Sequence, residues 1–72
     1  MSVSKSGNQN HDSVVNLAEG ARQTAVAAAA NQAAVNAAEI TFYRAAKASA
    51  LANGCGIEPF VTALRSLGTG GV

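Results

Sequence analysis

The 72-residue sequence contains no tryptophan, one cysteine, one proline, one histidine and three aromatic rings. Each scarcity removes a class of protein. A single cysteine, Cys55, excludes an internal disulfide, and with only His11 and four carboxylates beside it the chain is poorly supplied for a structural zinc site. Charged residues make up 12% of the chain and the net charge is +1, so the basic excess that draws a protein to nucleic acid is missing. Phe42, Tyr43 and Phe60 are too few to form a stacking platform for bases. No phosphate-binding glycine motif occurs. No cofactor is implied.

Long hydrophobic runs are also lacking. The longest wholly apolar stretch is Ala25 to Ala30, and beyond it Asn31, Gln32, Asn36, Glu39 and Arg44 interrupt the apolar residues. A bilayer crossing needs about 20 mostly apolar residues, so no transmembrane segment is expected. The polar beginning, Met1 to Asp12, does not read as a signal peptide. Together with the unpaired thiol this favours a cytoplasmic protein, with signal-independent export as the alternative.

What the sequence has is alanine. Sixteen of the forty-one positions from Ser13 to Asn53 are alanine, and none is proline. Alanine has the highest helix propensity, and the pair Asn53-Gly54 is a strong stop because glycine takes the left-handed conformation beyond a helix end cheaply. The expected fold class is therefore all-α: a long alanine-rich helix with Asp12 or Ser13 as its N-cap, then a short second helix. Gly20 and Asn31-Gln32 are the two places where the long segment can break, and a break there would give three shorter helices in a small bundle.

After Gly54-Cys55-Gly56, proline suits a first helical turn at Pro59, and Ile57, Phe60, Val61, Leu64 and Leu67 recur on one helical face. A helical hairpin or small bundle over residues 12–67 is expected, with a flexible polar tail over residues 1–11 and a loose C-terminal tail over residues 68–72.

Placed at 100° intervals on one unbroken helix, the large apolar residues fall into two opposed stripes. Leu17, Val35 and Phe42 form one, and Val15, Val26, Ile40 and Leu51 the other. Such a helix would run about 60 Å, whereas a nine-residue second helix covers about 14 Å. Both stripes would then need neighbours. The expected interface residues are Val15, Val26, Val35, Ile40, Phe42 and Leu51, with Phe60, Val61 and Leu64 folding back or reaching a second subunit.

The ionisable residues suggest no chemistry. His11 is expected in the tail, where a catalytic dyad would lack rigid orientation. Cys55 reads as a small turn residue. Glu39 and Arg44 are five residues apart, outside the three- or four-residue spacing of helical neighbours, so Glu39, Arg44 and Lys47 read as a solvated face. The second helix has only Arg65 as a basic residue, too little for a membrane-surface helix. The expected function is non-enzymatic: a small structural or assembly protein that self-associates through alanine-rich faces. A small adaptor binding a larger protein is the second reading, and a precursor peptide with a helical leader and a processed C-terminal segment the third.

Overall fold

The computed structural model describes residues 9–72, so residues 1–8 of the tail expected over residues 1–11 lie outside them. Three helices succeed one another: α1 (Gln9–Ala28), α2 (Gln32–Ala52) and α3 (Glu58–Ser66). No strand occurs among the described residues. α1 packs along α2, and α3 packs on α2. The all-helical, hairpin-like architecture agrees with the sequence.

The long alanine segment is two helices rather than one. It breaks at residues 29–31, at Asn31-Gln32 rather than at Gly20. Propensity alone would continue through Ala27 to Ala30, so a local signal must oppose it. Asn31 supplies that signal. Its backbone is extended (φ −157°, ψ 174°), and its side-chain Oδ1 accepts a 2.9 Å hydrogen bond from the Ala34 N–H. This satisfies one of the backbone donors that a helix start leaves free. On the other side of the break, the Ala29 N–H reaches back only three residues, to the Val26 carbonyl. Gly20, by contrast, sits within α1 with open space around its Cα.

Reversal at residues 29–31 changes the pattern of faces. The opposed stripes assume one continuous helical phase, and the reversal resets it. Val15 and Phe42, assigned to opposite stripes, meet in a single core with Ala46, against which Ala18, Tyr43 and Phe60 pack. The longest dimension of the molecule is 35 Å, not the length of an unbroken rod.

The C-terminal ends of α2 and α3 close as the sequence implies. Beyond α2, the Cys55 N–H bonds to the Ala50 carbonyl and the Gly54 N–H to the Leu51 carbonyl, with Gly54 at φ +70°. This is the Schellman arrangement. α3 ends the same way: Thr69 N–H reaches Leu64 and Gly68 N–H reaches Arg65. Pro59 occupies the first turn of α3, where a missing N–H costs no helical bond.

The last two residues contact α2 and α3, although Gly68, Gly70 and Val72 are exposed. Lys47 Nζ donates to the Gly71 carbonyl at 2.8 Å, and Arg44 Nε donates to the Val72 carbonyl at 3.1 Å. Gly71 is buried with φ +87°, and a Cβ added there would lie 3.0 Å from Val61 Cγ1. Gly71 thus lies between Lys47 of α2 and Val61 of α3, within the segment expected as a loose tail. The glycine content that suggested mobility instead permits close approach.

Replacing Asn31 with alanine should remove the cap and destabilise the hairpin by about 1 kcal/mol. In a domain this small the thermal midpoint should fall by about 4–8 °C. Asn31→Asp should stay near the wild-type midpoint in the same circular-dichroism melt.

Candidate functional site

Two features stand out: a buried polar contact at one end of the hairpin and an open apolar groove along the other. The polar contact is centred on His11. Its sequence context places this residue in a tail, but it lies on α1 with 1% exposure. Its Nδ1 shares a 2.9 Å hydrogen bond with Ser49 Oγ on α2, and its ring meets Phe60 of α3 edge-on at 5.9 Å between centroids. Ser49 Oγ is also 3.4 Å from Asn53 Nδ2. His11 therefore ties the beginning of α1 to both other helices.

Local composition hid this role, because the surrounding residues are polar. The spacing still contained a signal: His11, Val15, Ala18 and Arg22 succeed one another at intervals of four, three and four, as one helical face requires. The face turned toward α2 begins at His11 rather than at Val15.

The groove lies between α1 and α2 nearer the reversal, with a volume of about 590 Å³. From α1 come Ala18, Ala21, Arg22 and Ala25. From α2 come Ala34, Ala37, Ala38, Thr41, Phe42 and Ala45, again at helical spacing. Seven of the ten lining residues are alanine. Among the described residues Arg22 is the one ionisable residue lining it, and its charge is engaged by Glu19 one turn away. The Arg22 guanidinium also lies over the Phe42 ring, 5.8 Å from its centroid. This arrangement presents an apolar trough with a neutralised rim.

The expected interface residues divide between interior and surface. Val15, Phe42 and Leu64 are buried within the chain itself, and Phe60 packs against that core. Val26, Val35, Ile40 and Val61 are half-buried. Leu51 alone of the set is exposed, at 61%. Sequence reasoning did not select Leu17 as an interface residue, yet among the described residues it is the most exposed large hydrophobic one, at 77%. Cys55 is half-buried in the α2–α3 turn, its Sγ 3.8 Å from the Asn53 carbonyl. Glu39, Arg44 and Lys47 do not converge; the latter two hold the C-terminal residues instead. Among the described residues no His, Cys, Asp and Glu group is placed to hold a metal ion, and no helix is long and apolar enough to cross a membrane.

His11→Ala should cost about 2–4 kcal/mol, combining an emptied site with a lost buried hydrogen bond. His11→Phe, which restores ring volume but not the bond to Ser49, should recover part of that loss in urea unfolding.

Compared with protein-family models, curated proteins and solved structures, the chain matches none of them.

Proposed function

We propose that this chain is a small, non-enzymatic assembly subunit that associates with copies of itself through an alanine-rich helical face. The observation that carries the reading is the uncovered apolar groove between α1 and α2. Stable domains bury their apolar faces between two layers of secondary structure. Here α1 and α2 lie side by side, and α3 packs on α2 without running along the groove. One broad apolar face is left without a second layer.

Alanine suits such a face to association. Small side chains let helix axes approach to the lower end of the roughly 8–10 Å range, which brings many backbone and Cβ atoms into contact. Alanine also loses no side-chain rotamer entropy when it is covered.

A second reading places a helix of a different protein in the same groove. The trough between two helices is the kind of feature that receives the apolar side of an amphipathic helix. That adaptor role predicts a chain that remains monomeric alone.

Size-exclusion chromatography with light scattering, run from micromolar to millimolar chain concentration, separates these readings. Self-association requires a mass that rises with concentration to a multiple of the 7.1 kDa chain. A constant monomer mass over that range would remove the assembly reading and leave the adaptor.

A further inference from the structure

We infer that the face carrying the groove is covered by the same face of a second copy, in a two-fold dimer in which Leu17 of each chain enters the other chain's groove. This rests on the proposed self-association and specifies its contact.

The face contains both parts of a self-complementary surface. The hole is the alanine trough. The knob is Leu17, 77% exposed, which precedes the groove residue Ala21 by four positions and so stands beside it on α1. Val14, 40% exposed, has the same relation to Ala18. Neither side chain lines its own chain's groove. A two-fold axis brings each knob to the other hole at once, since residue i then meets residue j and j meets i.

The opposite flank of α2 is already occupied. Lys47, which holds Gly71, stands about 180° around the helix from the groove residue Ala38. α3 and the C-terminal residues line none of the groove, although Arg44, which holds Val72, stands beside its Ala37 and Thr41 wall.

Size and charge also fit a second copy. Two helices of 20 and 21 residues, side by side, present a projected area of about 550 Å². Two copies would thus cover on the order of 1,100 Å² in total, at the low end of specific interfaces. Arg22, the groove's ionisable residue, is matched by Glu19 within each chain, so two copies meet without an unopposed charge. A lipid surface is a poorer match, because a membrane-facing helix usually carries several basic residues around its apolar side.

The contact can be tested on the full chain with Leu17→Glu, Thr41→Glu and Leu51→Glu. Thr41 is exposed and lines the groove. Leu51 is the control: it is also exposed but lies about 120° around α2 from Ala45. Circular dichroism establishes that each variant keeps its helices, and light scattering or sedimentation equilibrium reads the mass. The wild type should reach a dimer. Leu17→Glu and Thr41→Glu should each raise its dissociation constant by at least about thirtyfold, as for a central interface residue, and Leu51→Glu should leave it unchanged.

An oligomer unaffected by both groove-face substitutions, or one dissociated by Leu51→Glu alone, would overturn this contact while leaving self-association standing. A wild-type chain that stays monomeric to millimolar concentration would overturn both. Binding of a monomeric chain to phosphatidylcholine vesicles, lost in Leu17→Glu, would assign the face to lipid and overturn the dimer.

Discussion

The side chain of Asn31, accepting the Ala34 N–H, is the constraint on which the architecture depends. An alanine-rich sequence is helical almost anywhere, so its shape is set by where the helix is forbidden to continue. Ending α1 at Ala28 turns a potential rod into a hairpin and brings Val15 against Phe42 and Ala46. The core, the groove and the place where α3 docks all depend on that reversal. A cap worth about 1 kcal/mol can decide this because propensity changes little from one alanine to the next. The competing continuous helix would also leave its valines and phenylalanine in water.

The cross-links are consistent with a chain that has few large side chains available for packing. Among the described residues the buried hydrophobic ones are Val15, Phe42, Ala46, Ala50 and Leu64, two of them alanine. Polar contacts supplement them at the end where three helices meet: His11 with Ser49, Lys47 with Gly71 and Arg44 with Val72. Among the described residues, no buried side-chain nitrogen or oxygen is without a hydrogen-bond partner. That end of the molecule is fixed by specific contacts, whereas the end near the reversal has only two helices and the open trough.

Much of this was legible in the sequence where a residue type has one dominant backbone consequence. Asn53-Gly54 and Gly68 predicted both C-terminal closures, and the Ile57, Phe60, Val61, Leu64 spacing predicted α3. Asn31-Gln32 was legible as a point of interruption, but composition could not choose between one helix and two, because alanine supports both. The choice depends on contacts between residues far apart in the chain, such as Val15 with Phe42. His11 was missed for a related reason. Polar neighbours made its segment look unable to fold, although the helical face that begins with it is continuous. The groove was invisible for a third reason: the stripes assigned to a single helix do not share a phase across residues 29–31.

The alanines at the helix contact have a consequence for how this protein can vary. Ala46 and Ala50 have no accessible surface. In a leucine-rich interior the hazardous substitutions shrink a side chain, and scanning with alanine finds them. Here the side chains are already near the lower limit of size, so the hazard lies in enlargement. A serine, valine or leucine at position 46 or 50 must push helix axes apart rather than leave a void. Mutational tolerance should therefore run opposite to the usual order, with glycine mild beside valine at these sites, and an alanine scan would pass over the part of the molecule most sensitive to change.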